Sequence, residues 1–272
     1  FQLDNFYAEK IDAIRKSDYF LVPSFRQQTY YTTWLGMAGL DLSLNNLFSR
    51  VPLFFDHLNP VKYDPSQPLR FIFCGYFWPW QTSLDHLMLL ASQCEETHTE
   101  LHIYGGKHPF GGPTHPKMDE MILRLQEYAS VCFRGVAPFS RLDSEIPENS
   151  IGIDLCGLNN ERILASPIKI SFYLGKGMPI MLTDQYEAAS DINQFAGNTL
   201  SAQVNLINPQ DIKKQIESFK NCYEHFHRNA LLLAEKNKST ARDTIRNLLL
   251  QNLRKTPKKQ SPYWTILDQY SN

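Results

Sequence analysis

Short apolar runs, separated by amphipathic segments, are the feature that most constrains the fold of this chain. The runs are YFLV (19–22), RFIFCG (70–75), LHIYGG (101–106), SVCFRG (130–135), IGIDL (151–155), MPIMLTD (178–184) and a weaker AQVNLI (202–207). The intervening segments SLDHLMLLASQCEE and KMDEMILRLQEYA each place their apolar residues on one helical face. Such alternation is typical of a parallel sheet covered by helices on both faces. We therefore predict an α/β fold with a Rossmann-like, doubly wound parallel sheet.

Helical periodicity continues on both sides of the alternating region. Residues 209–235 carry one apolar stripe, and 239–254 read as a further helix with Ser239 as its N-cap. The predicted ranges are 1–18 for a linker helix toward a missing amino-terminal domain, 19–235 for the Rossmann-like domain, and 236–272 for a C-terminal helix and a basic tail.

Composition excludes several classes of protein. A net charge of −1 over 272 residues gives no general field for nucleic acid or an anionic membrane. No apolar run reaches the length of a membrane span, and the first residues have no signal-peptide pattern. The five cysteines stand far apart, which favours free thiols in a reducing compartment over a disulfide framework. We expect a cytoplasmic protein, with peripheral association at the inner face of the membrane as an open alternative.

The common nucleotide-binding motifs are missing. YGGKHPFGG lacks the spacing of a phosphate-binding P-loop, and CGYFWPWQ stands where a G-x-G-x-x-G fingerprint would follow the first core strand. The aromatic residues of GYFWPWQ have two interpretations. A hydrophobic cluster under the loop is the simpler one, and a stacking platform for a sugar or a base is the alternative.

Polar or glycine residues end four of the apolar runs. They are Gly75, Gly105 with Gly106, Arg134 with Gly135, and Thr183 with Asp184. In open α/β sheets, ligands bind beyond the carboxyl ends of the strands, and glycine lets the backbone come close to a ligand. These residues predict a binding site at that edge of the sheet.

The order of these elements resembles the carboxyl-terminal, donor-binding domain of retaining glycosyltransferases with the two-domain GT-B fold. In that family, the first three strands of this domain end in glycine loops. The matching segments here are FIFCGYFWPWQTSLDHLMLLAS, LHIYGGKHP and CFRGVAPFSRL. Its best-known helix, K-x-x-E-Y-x-A-x-G-x-P-V, is matched by KISFYLGKGMPI at 169–180. The resemblance covers residues 19–235 and is greatest to a bacterial branch that decorates surface polysaccharide.

The resemblance implies where a donor would lie. The amino end of the helix that contains Lys169 would receive the diphosphate, with Ser166 as its cap. The base would lie near Arg134, and the sugar near residues 158–161. The predicted site residues are Glu161 and Lys169 for catalysis, and Gly75, Tyr76, Gly105, Gly106, Arg134, Gly135, Val136, Asn160, Ser166, Lys169 and Phe172 for donor binding.

The chain departs from the family at its charged positions. Phe172 stands where the family has the glutamate that holds the ribose. Leu164, eight residues earlier, stands where the family has a second acidic residue. Glu161 is close enough to take over sugar contacts if the loop shifts. Tyr76 and Gln81 stand about where an arginine and a lysine are usual.

The function that the resemblance implies is transfer of a sugar from a nucleoside diphosphate sugar to a glycan or lipid-linked acceptor. We expect no cofactor beyond the donor and no metal, because no D-x-D motif stands in a strand-end loop. The chain alone is expected to be inactive, with the acceptor held by the missing domain. Two alternatives stay open: a catalytically degenerate nucleotide-sugar-binding module, and a GT-B-shaped sugar-nucleotide epimerase.

Overall fold

The structure is a computed structural model that describes residues 3–42, 47–78, 80, 82–109, 111 and 117–250. Gln81 and the predicted basic tail RKTPKKQSP lie outside the described residues, which end at residue 250. The chain divides into two compact units, one formed by Phe1–Leu53 with Ser239–Asn272 and the other by Phe54–Lys238. The domain ranges drawn from the sequence stay a prediction.

The smaller unit contains a short parallel pair of strands joined by a helix. Its elements are α1 (Leu3–Lys16), β1 (Phe20–Val22), α2 (Phe25–Met37) and β2 (Phe48–Arg50). Ser24 caps α2 by accepting a hydrogen bond from the Gln27 backbone N–H at 3.2 Å. The run at 19–22 does form a strand, but it pairs with β2 in a separate two-stranded sheet. Grouping it with the core strands was wrong, because the pattern shows burial and not the pairing partner.

The larger unit is built on six parallel strands in the order β5-β4-β3-β6-β7-β8, so the predicted α/β fold is confirmed. The strands are β3 (Arg70–Tyr76), β4 (Glu100–Gly106), β5 (Val131–Phe133), β6 (Ser150–Asp154), β7 (Ile180–Thr183) and β8 (Gly197–Leu200). The helices are α3 (Leu84–Thr97), α4 (Met118–Gln126), α5 (Phe139–Glu145), α6 (Asn160–Leu164), α7 (Ile168–Gly175), α8 (Ala189–Asp191) and α9 (Pro209–Leu250). Because the strand order reverses there, the topological switch point lies between β3 and β6.

Both faces of this sheet are covered, which explains the continuous apolar runs. Along β3, Phe71 and Phe73 point into one hydrophobic cluster, whereas Ile72 and Cys74 point into the other. The first cluster contains residues of α3, α4 and α9, and the second contains residues of α7. The central strands β3, β4, β6 and β7 therefore bury side chains on both faces.

The weak run at 202–207 was wrongly predicted to be a strand. Val204–Leu206 forms a single 3-10 turn, and the edge strand is β8, which reads GNTL. A Cβ on Gly197 would lie 1.8 Å from the Ile180 carbonyl oxygen, so this strand runs very close to β7. So short and polar a strand leaves no apolar pattern to detect.

The carboxyl-terminal helical region is one helix and not two. Pro209 occupies the first position of α9, as predicted, but the helix continues through Ser239 to Leu250. No glycine or proline follows Pro209 within this range, so nothing in the chain ends the helix there. Among the helices that the structure describes, none is both long and apolar enough to cross a membrane.

Candidate functional site

The carboxyl ends of β3 and β4 lie side by side in close contact. Gly75 is in register with Gly105, and Tyr76 with Gly106. Gly105 has a φ of +149°, and a Cβ there would lie 1.8 Å from the Gly75 carbonyl oxygen. The glycine at 105 is therefore required by the approach of the two strand ends. A Cβ built on Gly106, which is buried, would meet no atom of the described residues within 4 Å.

The end of β5 borders the same edge of the sheet. The Arg134 backbone N–H donates to the Ile103 carbonyl at 2.9 Å, which fixes the chain as it leaves the strand. The residues Arg134, Gly135 and Val136 are exposed. Three strand spacings, roughly 14 Å, separate β5 from β6 along this edge.

The amino end of α7 reaches the edge after β6. Pro167 is the N-cap, with a φ of −65° and a ψ of 123°, and no side chain caps the helix. The expectation that Ser166 caps it is wrong, because the helix begins at Ile168 and Ser166 stands one residue too early. The first-turn N–H groups therefore have no side-chain cap, which leaves this helix end suited to an anion.

Lys169, in the first turn of α7, is held by a buried carboxylate. Its Nζ lies 2.6 Å from Oδ1 of Asp154, the last residue of β6, and 5.0 Å from the centroid of the Phe73 ring. The Asp154 side chain is 0% exposed, and that of Lys169 is 17% exposed. Neither oxygen of Asp154 has a well-aligned hydrogen bond from the described residues. The lysine ammonium is thus the charge that compensates this carboxylate.

Asp154 is the residue that sequence reasoning missed. A signal existed, since this residue is the single charged one in the apolar run IGIDL and it stands at the carboxyl end of a buried strand. An acidic residue that ends such a strand indicates either a ligand contact or a buried ion pair.

Tyr173 ties together the two strands at the switch point. Its hydroxyl donates to the Ile153 carbonyl at 3.3 Å and accepts from the Cys74 backbone N–H at 3.0 Å. Burial raises the pKa of Tyr173 well above its ordinary value, so the hydroxyl stays protonated. A Cβ on Gly152 would lie 2.3 Å from the tyrosine ring, which explains the glycine inside β6. The tyrosine of the helix motif therefore has a structural role.

Phe172 lies in a hydrophobic cluster. It is 3% exposed, and its ring lies 5.3 Å from that of Phe139 and 6.0 Å from that of Phe55. A phenylalanine in this position offers no acceptor to a ribose hydroxyl. Its predicted contact with a donor stays a prediction, and it would require this cluster to open.

The segment after β6 carries the other predicted sugar contacts. Asn160 is the first residue of α6, and Asn159 caps the helix by accepting from the Arg162 N–H at 2.8 Å. Glu161 pairs with the guanidinium of Arg162, which is buried, while Glu161 itself is 52% exposed. The carboxylate of Glu161 is thus engaged in an ion pair with Arg162 at the surface.

The predicted residues meet at one edge but do not all face one cavity. The ends of β3, β4, β5 and β6 bring together the glycines, the Arg134 segment, Lys169 and the Asn160 segment. Tyr76 turns its ring against His108, with 4.4 Å between the centroids. In the part of the chain that the structure describes, no group of three or more histidine, cysteine, aspartate or glutamate side chains is placed to hold a metal ion. The edge offers a lysine that is shared with a buried carboxylate, and a helix amino end without a side-chain cap, which suits a phosphate group.

Comparison with known proteins identifies the fold through structure alone. No protein-family model matches the sequence, and no curated protein matches it either. The pneumococcal O-GlcNAc transferase GtfA, solved with UDP and GlcNAc, is 15% identical with a TM-score of 0.58, over 89% of this chain and 47% of GtfA. Sucrose-phosphate synthase from Thermosynechococcus elongatus is 12% identical with a TM-score of 0.60, over 91% of this chain and 61% of that one. Anabaena HepE, solved with UDP, is 14% identical with a TM-score of 0.57, over 91% of this chain and 68% of HepE.

These similarities show a Rossmann-like lobe of the GT-B fold, so the resemblance seen in the sequence is confirmed at the level of fold. The chain spans about half the length of GtfA and three fifths of the sucrose-phosphate synthase.

Proposed function

We propose that this chain is the donor-binding part of a glycosyltransferase that takes a nucleoside diphosphate sugar. The observation that carries the proposal is the position of Lys169. Its ammonium lies at the switch point of the sheet, between Asp154 on β6 and Phe73 on β3, in the first turn of a helix without a side-chain cap. Ligands of open α/β sheets bind at such a point, and helix amino ends favour phosphate.

A donor can extend from this point along the edge of the sheet. The diphosphate would lie at the amino end of α7, and the base would lie near Arg134, Gly135 and Val136, roughly 14 Å away along the strand ends. The sugar would lie on the side of Asn160 and Glu161. The exposed residues at the end of β5 support this course.

The chemistry asked of these residues is positioning and charge stabilisation. When the bond between sugar and diphosphate breaks, negative charge grows on the leaving diphosphate. In this proposal Lys169, which also compensates Asp154, and the N–H groups of the first turn of α7 would stabilise that charge. Glu161 would contact the sugar if Arg162 released it.

The wider function follows from the same proposal. The acceptor would be a glycan or a lipid-linked saccharide, held by a second lobe outside this chain, in the synthesis of a surface polysaccharide. The reaction would need no metal and no cofactor besides the donor. We propose that the protein acts in the cytoplasm. If the acceptor is lipid-linked, it would act at the inner face of the membrane.

Calorimetric titration with UDP and with uridine tests the proposal, since two of the similar structures hold UDP. The variants are Lys169→Met and the double variant Asp154→Asn/Lys169→Met, which removes the buried charge together with its partner. A charge-assisted contact contributes about 1.5–3 kcal/mol, so both should bind UDP about ten- to a hundredfold more weakly. Uridine binding, which involves no phosphate, should change little.

Lys176→Met is the matched control. Lys176 follows the last residue of α7, is 3% exposed on its side chain, and pairs with Asp143 at 2.9 Å, far from the amino end of the helix. Its loss should leave the ratio of UDP to uridine affinity unchanged in the folded protein. Equal losses for UDP and uridine in Lys169→Met would make the lysine structural and end the proposal for this site.

Binding without transfer is the second candidate, and two observations favour it. The family's ribose-binding glutamate is replaced by a buried phenylalanine, and Glu161 is engaged by Arg162. Incubation of the full-length protein with a UDP-sugar and candidate acceptors, followed by analysis of the products, separates the two. Tight UDP binding without any released UDP or new glycoside would support the binding module.

A further inference from the structure

The ion pair of Glu161 and Arg162 is unusual because it joins consecutive residues of one helix. Consecutive helical residues do not face each other, so both side chains must bend toward a common point. The contact is bidentate: Arg162 Nη2 donates to one carboxylate oxygen of Glu161 at 2.5 Å, and Nε donates to the other. Only 7% of the Arg162 side chain is exposed, against 52% of the Glu161 side chain. The guanidinium is thus buried, and the carboxylate covers it on the side of the solvent.

Hydrogen bonds to neighbouring loops hold the start of α6 at the switch point of the sheet. The Asn159 backbone N–H donates to the side-chain oxygen of Gln185, which follows β7, at 3.1 Å. The Asn159 side-chain amide donates to the carbonyl of Trp80, which follows β3, at 3.0 Å. The ion pair therefore stands among the loops that follow β3, β6 and β7, at the edge where ligands of open α/β sheets bind.

The Tyr186 hydroxyl lies near this ion pair and near that of Asp154 and Lys169. Burial lowers the pKa of Arg162, but Glu161 and the Tyr186 hydroxyl together raise it above its ordinary value. Burial and the charge of Asp154 raise the pKa of Tyr186, so its hydroxyl stays protonated. The interactions of Tyr186 with both Arg162 and Asp154 place the two ion pairs in one neighbourhood.

The two ion pairs balance each other's charge, which leaves no excess cation for a diphosphate. Of the two carboxylates, Asp154 is 0% exposed and cannot leave, whereas half of Glu161 already faces water. Release of Glu161 would leave two cations against one carboxylate. It would also free a planar guanidinium, which binds phosphate oxygens in the same bidentate geometry as carboxylate oxygens.

We propose that Arg162 is a second phosphate-binding cation of the site, and that Glu161 covers it until a nucleoside diphosphate displaces the carboxylate. This inference rests on the proposed function. Because α6 lies on the sugar side of the proposed donor, the phosphate that reaches Arg162 is the one distal to the base. The displacement would free Glu161 beside the sugar, so phosphate binding and the sugar contact of Glu161 would be coupled.

Calorimetric titration with UDP, UMP and uridine tests this proposal, because the two members of the ion pair should have opposite effects. Glu161→Gln removes the competing charge and should tighten UDP binding about tenfold. Arg162→Met removes the cation and should weaken UDP binding about tenfold, the effect of losing one charge-assisted contact. UMP and uridine lack the distal phosphate, so their affinities should stay within twofold of wild type in both variants.

Two further variants serve as controls. Glu224→Gln removes the same charge from a pair with Arg228 on α9, where the two side chains lie 3.8 Å apart and are exposed, and it should leave all three affinities unchanged. Arg162→Lys retains a cation without the planar fork, so it keeps the test decisive if Arg162→Met does not fold. It should bind UDP more weakly than wild type does.

A purely structural ion pair gives a different pattern. An unchanged ratio of UDP to UMP affinity in Glu161→Gln and in the Arg162 variants, or a lower ratio in all of them, would overturn the inference. If Lys169→Met alone lowers UDP affinity, the proposed function survives and the role of Arg162 does not. Absence of UDP binding by the wild-type protein would end both.

Discussion

Removal of the Lys169 ammonium is the perturbation whose effect the structure defines best. Lys169→Met keeps most of the side-chain volume and deletes the charge that lies 2.6 Å from Asp154. Asp154 is 0% exposed, and no well-aligned hydrogen bond from the described residues reaches its oxygens. The variant therefore leaves a buried carboxylate without compensation.

The expected loss of stability is large for a single substitution. Breaking a buried ion pair by removing one partner costs about 3–5 kcal/mol, because the remaining charge stays desolvated. For a domain of 150–250 residues, each kcal/mol lowers Tm by about 2–4 °C. We therefore expect Tm to fall by roughly 6–20 °C.

A double-mutant cycle measures the pair. Thermal and urea unfolding are followed by circular dichroism for wild type, Lys169→Met, Asp154→Asn and the double variant. Asp154→Asn alone leaves the ammonium without its carboxylate, but Lys169 is 17% exposed and can reach water. The double variant should recover most of the stability lost in Lys169→Met, with a coupling energy within the 0.5–3 kcal/mol that is usual for contacting residues.

Two results would refute this reasoning. Lys169→Met could unfold within about 0.5 kcal/mol of wild type, the range of an ordinary surface substitution. Alternatively, the double variant could be no more stable than Lys169→Met, which would mean that Asp154 does not carry the penalty. In either case, Lys169 would be held by something other than the buried carboxylate.

Three further predictions concern the core and the sheet edge. Gly105→Ala should cost more than about 1 kcal/mol, since its Cβ would collide with the Gly75 carbonyl; Gly106→Ala, which also has a positive φ but open space, is the control in the same unfolding assay. Phe172→Ala should lower stability by roughly 3–5 kcal/mol in urea unfolding while the UDP affinity of the folded protein, measured by calorimetry, holds; a loss of uridine affinity at unchanged stability would place Phe172 at the ribose instead. Burial lowers the pKa of His86 below its ordinary value, so the unfolded state takes up a proton first and stability should fall as pH drops below about 6.5. The urea midpoint measured across that range should change less in His86→Gln, and an identical slope would contradict this assignment.

The sequence alone determined the class of fold. Near-continuous apolar runs between amphipathic segments require strands that are buried on both faces, and only a parallel sheet between two layers of helices provides this. The glycines at the ends of β3 and β4 were visible because they end the apolar runs, although Gly105 is needed for the close approach of the two strand ends and not for a turn. The helix around Lys169 was also visible, because the proline before it and the glycines after it mark its bounds.

The sequence pattern did not predict the elements that are short or mostly polar. β2 and β8 are short and mostly polar, so neither shows an apolar run. The run at 19–22 was seen, but its partner lies almost thirty residues away, and pairing leaves no mark on either segment. α9 was divided in two because its apolar stripe fades, although no residue within it ends the helix.

Only the tertiary structure decided what the charged and aromatic residues of the edge do. Asp154 and Lys169 belong to different elements, and nothing in either segment shows that their side chains meet. Phe172 is buried by Phe55 and Phe139, which come from distant parts of the chain. Likewise, Phe77 enters the core while Trp78 and Trp80 stack outside it, although all three stand in one loop. A sequence records which side chains can form a contact, but which of them do so depends on the distances that folding sets between residues far apart in the chain.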